Sequence, residues 1–414
     1  MTFREAEDYL LSLELFGMRF GLDRMHRLMT ALGMPQRGFA SVHVVGTNGK
    51  SSTVRFTAAI LERHGLRTGS YTSPHLASFR ERVEVGERPI GEAELAAAVA
   101  RARHAAELVD RTQEPDDRVT QFEALSAAAY HELARAGADV AVVEAGLGGR
   151  YDATNVIPSR VQVLTGVGLE HTRWLGPTVT HIAEEKLAVV RHHATLVLPA
   201  SLHPDAEAVA ARVAAERSAR VVRAKADLGV AMGAAGAFQR ANFALAATAA
   251  EAFLDRRLDS AAVAAAAAET RIPGRLDLVA RNPLVIHDGA HNPAGARALA
   301  ESIPEVVGGS RPLVGVISVL DDKDAAAMLE HLLPLFDSLV LTRCANPRAL
   351  SPATLQSLAE KLGGPPAETV PEPVRAVERA RQIAGPGGGV LATGSIYLIA
   401  DLVRDPAAAR ASTL

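Results

Sequence analysis

The stretch Ser41-Val42-His43-Val44-Val45-Gly46-Thr47-Asn48-Gly49-Lys50-Ser51-Ser52 decides the fold class. Its first five residues are rich in valine and predict a short buried strand. Two glycines and a lysine follow, and then a helical stretch from Thr53 to His64. A strand, a glycine-containing turn and a helix in this order are typical of a phosphate-binding loop in an α/β protein.

This loop has the residue types that hold the phosphates of a nucleotide. Glycines let successive backbone N–H groups point at one phosphate, and the helix start adds a favourable dipole. Lys50 can reach the β- and γ-phosphates, and a serine hydroxyl can ligate Mg²⁺. The spacing is shorter than in G-x-x-x-x-G-K-[ST], because Val44 stands where that pattern has a glycine. The expected phosphate-binding residues are Gly46, Thr47, Asn48, Gly49, Lys50, Ser51 and Ser52.

Apolar strand patterns recur along the rest of the chain, with alanine-rich helical stretches between most of them. This alternation predicts parallel sheets covered by helices on both faces. Helical segments are expected over residues 1–35, ending at Pro35, and over Phe243–Thr270. Further strands are predicted at Asp139–Val143, Val161–Leu164, Thr195–Leu198, Leu284–Ile286, Leu313–Ile317, Ser338–Leu341 and Val390–Ala392.

A domain boundary is predicted near Ile272-Pro273-Gly274-Arg275. This segment follows the long alanine-rich region, and a new strand–loop–helix pattern starts at Leu284. A chain of 414 residues is long enough for two or three domains. We expect a first domain over 1–275 and a second over 283–414, with a hinge at about 272–283.

Composition excludes several classes of protein. Lys and Arg total 44 against 47 Asp and Glu, and no block of basic residues suggests nucleic-acid binding. Cys344 is the only cysteine, so neither an intramolecular disulfide nor a Cys-rich zinc site is expected. The N-terminus lacks the apolar core of a secretory signal, and alanine runs such as Ala261–Ala268 are too short to span a bilayer. We expect a cytoplasmic protein that does not contact a membrane.

Polar side chains follow several predicted strands. Glu144 ends one strand and is positioned to hold Mg²⁺, because ligands bind at the carboxyl ends of strands in open α/β sheets. His171 follows another strand and is either a second metal ligand or a structural histidine. In the second half, Asp288 can accept from ribose hydroxyls, and His291 and Asn292 can face a nucleotide.

Together these segments resemble the folylpolyglutamate synthase/dihydrofolate synthase family, a branch of the Mur ligase superfamily. The similar segments occur in the family's order over most of the chain. They are Phe20–Arg24, Val44–Lys50, Thr72–Leu76, Glu144–Asn155, His171–Gly176, Pro273–Arg275, Asp288–Pro293, Asp322–Asp324 and Gly394–Tyr397.

The resemblance implies a P-loop-containing Mur-ligase-type ATPase domain followed by a smaller Rossmann-like α/β ligase domain, with ATP between them. It implies ATP-dependent ligation of L-glutamate to a pterin-linked carboxylate through an acyl phosphate. The acceptor would be dihydropteroate, a reduced folate or both. Use of both acceptors would make the enzyme bifunctional, as a dihydrofolate synthase and a folylpolyglutamate synthase. The implied cofactors are ATP and two Mg²⁺ ions, and the implied oligomeric state is a monomer.

The resemblance also implies site residues. Ser73 and Glu144 would bind one Mg²⁺ and His171 the second. Lys186 matches a lysine that becomes carbamylated, although Leu187-Ala188-Val189 departs from the Ala-Gly-Ile that usually follows it. Ser51 replaces the family's third glycine, so either Ser51 or Ser52 faces the metal. Asn242 would lie by the adenine, and ATP would be contacted by Arg275, Asp288 and Asn292. His291 would assist catalysis. The residues near the pterin would be Thr120, Gln121, Phe122, Glu123, Tyr151, Asp152 and Ala153.

Two alternative functions remain at this point. A Mur-type ligase with a different carboxylate acceptor shares the loop and the acyl-phosphate chemistry. About 40 residues precede the loop, and we expect no separate UDP-sugar domain there. A non-catalytic nucleotide-binding regulator is disfavoured, because the chain has Lys50, Glu144 and His171 together.

Overall fold

The computed structural model describes residues 1–14, 21–114 and 117–404. Within them the chain forms two separate sheets, both mainly parallel, with helices packed against them. This arrangement confirms the predicted α/β class. The expected helical segment over 1–35 consists of two helices with residues 15–20 outside the described part of the chain.

The first sheet is formed by residues between 40 and 223. The strand order is β4-β3-β2-β5-β1-β6-β7-β8, and all neighbours are parallel except β2–β3 and β3–β4. The antiparallel edge was not predicted from sequence. The strands are β1 Ala40–Val45, β2 Thr68–Tyr71, β3 Val83–Val85, β4 Arg88–Pro89, β5 Val140–Glu144, β6 Val161–Leu164, β7 Thr195–Leu198 and β8 Arg220–Arg223.

The second sheet is formed by residues between 277 and 393. Its strand order is β13-β12-β11-β14-β10-β9, and only the β9–β10 pair is antiparallel among the described strands. The strands are β9 Asp277–Arg281, β10 Leu284–His287, β11 Leu313–Ile317, β12 Ser338–Leu341, β13 Ala367–Thr369 and β14 Gly389–Thr393.

The helices connect successive strands and cover the sheet faces. None of those described is both long and apolar enough to cross a membrane. The helices are α1 Phe3–Ser12, α2 Asp23–Ala31, α3 Lys50–Arg63, α4 Glu92–Asp110, α5 Gln121–Arg135, α6 Thr172–Leu175, α7 Val179–Leu187, α8 Pro204–Arg217, α9 Ala237–Leu254, α10 Ser260–Glu269, α11 Pro293–Val307, α12 Ala325–Leu332, α13 Pro352–Lys361, α14 Pro373–Ala384 and α15 Ile396–Val403.

Strand β5 shows how the first sheet separates two apolar layers. Val140 and Val142 face the layer that includes α3, α9 and α10, whereas Ala141 and Val143 face the layer that includes α1, α2, α4 and α5. Successive side chains of a strand point to opposite faces, so a continuous apolar run indicates a sheet buried on both sides. This central position leaves Glu144 at the end of a strand that cannot shift without disturbing both layers.

Three boundaries differ from the sequence prediction for local reasons. Helix α3 begins at Lys50 rather than Thr53, because Gly49 adopts a left-handed φ of 84° and serves as its N-cap. The alanine-rich region breaks into α9 and α10 at Asp255, which has a φ of 48°, and Asp259 caps the second helix. Helix α2 ends at Ala31, and Pro35 starts a 3₁₀ turn instead of ending the α-helix.

One loop of the first sheet reaches into the second. After β2, the chain passes Ser73 and a cis peptide bond to Pro74, and Leu76 then packs into the apolar cluster of α14, α15 and the second sheet. Arg404 donates from Nε to the carbonyl oxygen of Leu76 at 2.9 Å. The loop that carries Ser73 is thus attached to both halves of the molecule.

Candidate functional site

A cleft of about 1000 Å³ lies between the two sheets. Residues from the carboxyl ends of strands in both sheets line it, together with parts of α2, α5, α6, α9 and α11. The residues predicted from sequence that line this cleft are Thr47, Asn48, Gly49, Lys50, Ser51, Ser52, Ser73, Thr120, Phe122, Glu123, Glu144, Tyr151, Asp152, Ala153, His171, Asn242, Arg275, Asp288 and His291. Gly46, Gln121, Lys186 and Asn292 do not line it directly.

The phosphate loop needs glycine at two positions. Gly46 has a φ of 150°, and a Cβ there would lie 1.9 Å from the Thr165 hydroxyl oxygen. A Cβ on Gly49 would lie 2.4 Å from Oδ1 of Asn242. Substitution of either glycine would require Thr165 or Asn242 to move. The loop therefore presents its backbone at the start of α3, where N–H groups without helical partners favour an anion.

Lys50 folds back over its own loop. Its Nζ donates to the carbonyl oxygens of Gly46 at 3.0 Å and Thr47 at 3.1 Å. Lys50 also lines the cleft, so its charge is held next to the backbone N–H groups of the loop. This places a cation where the terminal phosphates of a bound nucleotide would lie.

Glu144 is a buried carboxylate opposite the loop. The Ser73 N–H donates to its Oε2 at 3.1 Å, and the Ser51 hydroxyl also donates to this carboxylate. Burial raises the pKa of Glu144, and the nearby Lys50 cation and the hydrogen bond from Ser51 oppose that rise. Ser51, the residue that departs from the family pattern, is therefore in contact with the acid expected to bind metal.

A buried ion pair lies beneath the loop, and sequence reasoning missed half of it. The Nζ of Lys186 donates to Oε1 of Glu170 at 2.7 Å and to the Gly46 carbonyl oxygen at 2.9 Å. Burial alone would raise the pKa of Glu170, but the Lys186 cation lowers it to about 2. Burial lowers the pKa of Lys186, and Glu170 opposes this. The position of Glu170, after a strand and beside His171, was the available signal.

His171 enters the cleft from a strained backbone. Its φ of 45° lies in the left-handed region, which is uncommon outside glycine. Loss of hydration in the cleft and the Lys323 cation lower the pKa of His171 to about 4, so its imidazole is neutral near pH 7. A neutral imidazole retains a lone pair that can bind a metal ion.

Helix α5 starts at the far end of the cleft. Thr120 caps the helix, and Glu123 accepts hydrogen bonds from both the N–H and the hydroxyl of Thr120. Arg24 pairs with Glu123 and with Asp117, and sequence reasoning gave it no role. Gln121 points away, because its Nε2 donates to the Leu10 carbonyl oxygen at 2.8 Å. Its predicted contact with an acceptor has no support in this arrangement.

Phe122 and Asp152 form the other walls of this end. The Phe122 ring lies against Gly146, where a Cβ would be 2.6 Å from Cζ of the ring. Asp152 accepts from the N–H groups of Leu147 and Thr154, and burial raises its pKa. Tyr151 remains 46% exposed at the mouth. The end of the cleft thus combines an aromatic wall with a buried carboxyl group, a combination suited to a flat heterocycle with N–H donors.

The second sheet contributes an acid and an imidazole held by backbone groups. Asp288 accepts from the N–H groups of Leu276 and Ala290, and burial raises its pKa while Arg275 opposes the rise. Each carboxylate oxygen thus accepts one backbone hydrogen bond and keeps a further lone pair for the predicted ribose contact. The Nδ1 of His291 lies 2.9 Å from the Gly289 carbonyl oxygen, and burial lowers the pKa of His291 to about 4.

Two asparagines form a direct link between the halves. Asn48 and Asn292 exchange hydrogen bonds through their amides, at 3.1 and 3.0 Å. Asn292 also caps α11 by accepting from the Gly295 N–H. Asn242 contacts the turn at Gly49 and donates to Gln239. These contacts position the phosphate loop against the second sheet.

The metal site predicted from the sequence is made of serine, glutamate and histidine side chains, and not of a cluster of acids. Across residues 1–14, 21–114 and 117–404, no group of three or more His, Cys, Asp or Glu side chains is arranged to hold a metal ion. The backbone N–H of Ser73 donates to Glu144. Further cleft residues that the sequence reasoning left unassigned are Arg24, Glu170, Arg173, Trp174, Lys323 and Arg348.

Comparisons with known proteins agree with this geometry. The model of the Mur ligase, glutamate ligase domain, matches residues 274–396. A dihydrofolate synthase/folylpolyglutamate synthase of Mycobacterium tuberculosis is 36% identical over 382 residues, covering 83% of this chain and 78% of that protein. One of Bacillus subtilis is 32% identical over 431 residues, covering 97% of this chain and 98% of that protein.

Solved structures are similar over nearly the whole chain. A folylpolyglutamate synthase of Mycobacterium tuberculosis, complexed with ADP, superposes with a TM-score of 0.90 at 33% identity, covering 98% of this chain and 99% of that one. An E. coli FolC in complex with DHPP and ADP has a TM-score of 0.85 at 28% identity, and 97% of each chain is covered.

Proposed function

This chain belongs to the dihydrofolate synthase/folylpolyglutamate synthase family, and we propose that it is an ATP-dependent ligase that joins L-glutamate to a pterin-linked carboxylate. The observation that carries the proposal is the cleft that is lined by both the phosphate loop and the Asp288–His291 segment. The acceptor is dihydropteroate, a reduced folate or both, and the enzyme acts as a monomer. The ADP bound by the similar M. tuberculosis enzyme supports ATP as the phosphate donor.

The two halves act as domains that close over ATP. We assign the first to residues 1–275 and the second to 283–414, joined by a hinge at about 272–283. Support comes from the two separate sheets and from the family match that begins at residue 274. Strand β9 hydrogen-bonds to β10, so most of the hinge segment moves with the second domain.

In the first step the acceptor carboxylate attacks the γ-phosphorus of ATP, and an acyl phosphate and ADP form. The carboxylate is already a nucleophile, so no serine or cysteine is needed. Lys50 and the N–H groups that begin α3 offset the charge that develops on the transferred phosphoryl group. Because Lys50 is held by two carbonyl oxygens of its own loop, little reorganisation is required when ATP binds.

Residues around Glu144 fit a divalent cation. A buried carboxylate that contacts the Ser51 hydroxyl and the backbone of Ser73 offers hard oxygen donors, which Mg²⁺ prefers. Glu144, Ser73 and one loop serine would hold the first ion, and His171 would hold the second. The contact between Ser51 and Glu144 favours Ser51 over Ser52 as that serine. Mg²⁺ held there would neutralise charge on the phosphates.

Lys186 is the candidate for carbamylation. Burial lowers its pKa, and a larger share of neutral amine favours attack on CO₂, which gives a carbamate and releases a proton. The Glu170 partner opposes this change, because a carbamate would place a second anion beside that carboxylate. A carbamate at Lys186 would therefore replace the ion pair by two anions, which requires bound cations to supply compensating charge.

In the second step the α-amino group of L-glutamate attacks the acyl carbon and phosphate leaves. A carbonyl oxygen only accepts, so His291 donates from Nδ1 to Gly289, and its Nε2 keeps a lone pair. A pKa of about 4 keeps this imidazole neutral near pH 7. We assign His291 as the group that takes the proton from the attacking amine. Closure of the domains protects the acyl phosphate from water.

The acceptor's ring system occupies the end of the cleft at α5. Phe122 and Tyr151 supply aromatic surface, and Thr120, Glu123, Asp152 and Ala153 surround it. The buried Asp152 carboxyl group is the hydrogen-bonding partner proposed for the pterin. From there the acceptor's carboxylate extends toward Lys50 and Glu144.

The test is ADP release by purified protein with Mg²⁺-ATP. Dihydropteroate and tetrahydrofolate are offered separately, each with and without L-glutamate. Release that depends on glutamate with both acceptors establishes a bifunctional enzyme, and release with one of them fixes the acceptor. No glutamate-dependent release with either acceptor, from folded protein that binds ATP, would refute the proposed substrates.

A further inference from the structure

The cleft contains a cation that the roles above leave unused. Arg173 lies on α6, two residues after His171, and lines the cleft. Within the described residues no carboxylate forms an ion pair with Arg173. By contrast, Lys323 pairs with Asp322 and Lys186 pairs with Glu170. An exposed arginine that faces a binding cleft without an acid partner is available to an anionic ligand.

Trp174 supports the Arg173 side chain. The guanidinium carbon lies 4.9 Å from the centroid of the indole ring, which is a cation–π contact. Trp174 is itself 37% exposed and lines the same cleft. The stack already restricts the Arg173 side chain, so that less rotamer freedom is lost when a ligand binds. The guanidinium is thus preorganised and keeps its N–H edges free for a carboxylate.

Arg173 lines the same cleft as the proposed acceptor site. His171, proposed above as a metal ligand, and Tyr151, proposed above to contact the ring system, line that cleft as well. Helix α6 packs over the turn that leads to Tyr151, since a Cβ on Gly148 would be 2.8 Å from Cδ2 of Leu175. An acceptor that spans the cleft from Tyr151 to Lys50 passes along this edge.

The acceptors differ in the charges they bring to this edge. Dihydropteroate has one carboxylate, which reacts. A folate has a terminal glutamyl residue whose γ-carboxylate reacts and whose α-carboxylate does not. We propose that Arg173, held by Trp174, binds this non-reacting α-carboxylate and so favours acceptors that already carry glutamate. The proposal rests on the ligase function proposed above and adds a determinant of acceptor specificity.

The kinetic test compares Arg173→Gln, Arg173→Lys and the unaltered enzyme with dihydropteroate, tetrahydrofolate and tetrahydrofolate diglutamate. An exposed ion pair changes affinity by up to about fivefold. We expect Arg173→Gln to raise KM about fivefold for both folates with kcat unchanged, and to leave KM for dihydropteroate within twofold. Arg173→Lys keeps the charge but loses the planar fork, so its KM should be intermediate. Arg375→Gln, at an exposed position on α14, is the matched control.

A binding measurement keeps the test independent of turnover. Trp174 is the only tryptophan of the chain, so its emission reports on this edge alone. We expect tri-γ-L-glutamate, added with ADP, to change the emission saturably, with about fivefold weaker binding in Arg173→Gln. Equal affinity in both proteins, or an equal loss of kcat/KM with dihydropteroate and folates, would overturn the proposal. Absence of glutamate-dependent ADP release from the unaltered enzyme would instead refute the ligase function, and the emission would still decide the role of Arg173.

Discussion

The carboxyl ends of the strands of the two sheets face each other across the cleft, and we call each of them an edge. The two edges keep their polar side chains in position by different kinds of contact. On the first sheet, charged side chains from distant elements hold one another, as in the Lys186–Glu170 and Arg24–Glu123 pairs. On the second sheet, Asp288 and His291 are held by backbone groups of nearby residues.

This difference determines what can move. The backbone bonds around Asp288 remain intact when the second sheet moves as a body. The charge pairs of the first sheet join separate elements in a poorly hydrated interior, where loss of one partner leaves an uncompensated charge. The paired charged side chains at the first edge are therefore fixed in position, and we call this set of charges the template. The second sheet is a rigid unit that docks onto the template.

Removal of the Lys50 cation, which lies at the first edge, should have the largest effect on turnover. We expect Lys50→Ala to lower kcat about 10³-fold, because one preorganised partner of the developing charge is lost. Its amine contacts only two loop carbonyl oxygens by hydrogen bonds among the described residues, so the melting temperature should change little. ADP release and a thermal melt are measured in parallel. Lys361→Ala, at an exposed position on α13, is the control, and near-normal turnover by Lys50→Ala would contradict the assignment.

Lys186→Ala separates two roles for the buried lysine. We expect about a 10²-fold loss of turnover, since the support of the Gly46 carbonyl and of Glu170 is removed. If the working group is a carbamate, added formate or acetate should restore part of the activity. If it is the ammonium seen against Glu170, methylammonium should restore it instead. Lys50→Ala, assayed with the same additives, controls for nonspecific stimulation, and full activity without any additive would contradict both roles.

Glu170→Gln tests the stability of the template. Loss of one partner of a buried pair costs about 3–5 kcal/mol, and we expect a drop of this size in the free energy of unfolding at pH 7. The pKa of Glu170 in the folded protein is about 2, below its ordinary value of 4.5, so its ionisation stabilises the fold above pH 4.5. This contribution is lost as the pH falls from 4.5 toward 2, and the difference between the two proteins should shrink over that range.

The matched control for this experiment is Glu184→Gln. Glu184 pairs with Arg212, but both side chains are at least 40% exposed. An exposed pair contributes about 1 kcal/mol or less, so urea unfolding of this variant should stay close to that of the unaltered protein. Equal losses in the two variants would mean that burial does not distinguish the Lys186–Glu170 pair.

The Lys186–Glu170 pair shows what could not be predicted from the sequence. The phosphate loop and the strand end at Glu144 follow from local patterns, and the family was recognised from ordered short segments. Glu170 was visible beside His171, but its partner Lys186 lies on α7, and only the path of the chain through α6 and α7 brings the two side chains together. Strand β8 was missed because it is an exposed edge with charged ends, so its pairing with β7 depends on tertiary context.

The smallest expected effect concerns the docking of the second sheet onto the first. Asn292 both exchanges hydrogen bonds with Asn48 and caps α11, and a single substitution can separate these roles. Serine is as good an N-cap as asparagine, but it is too short to reach Asn48. We expect Asn292→Ser to keep the melting temperature and to raise KM for ATP about twofold to fivefold, as for the loss of hydrogen bonds worth about 0.5–1 kcal/mol. Asn292→Ala also loses the cap and should in addition destabilise the protein by about 1 kcal/mol. Because Asp288 and His291 keep their backbone bonds in both variants, kcat should be nearly unchanged; a fall in kcat larger than the rise in KM would mean that the second sheet is not the rigid unit inferred here.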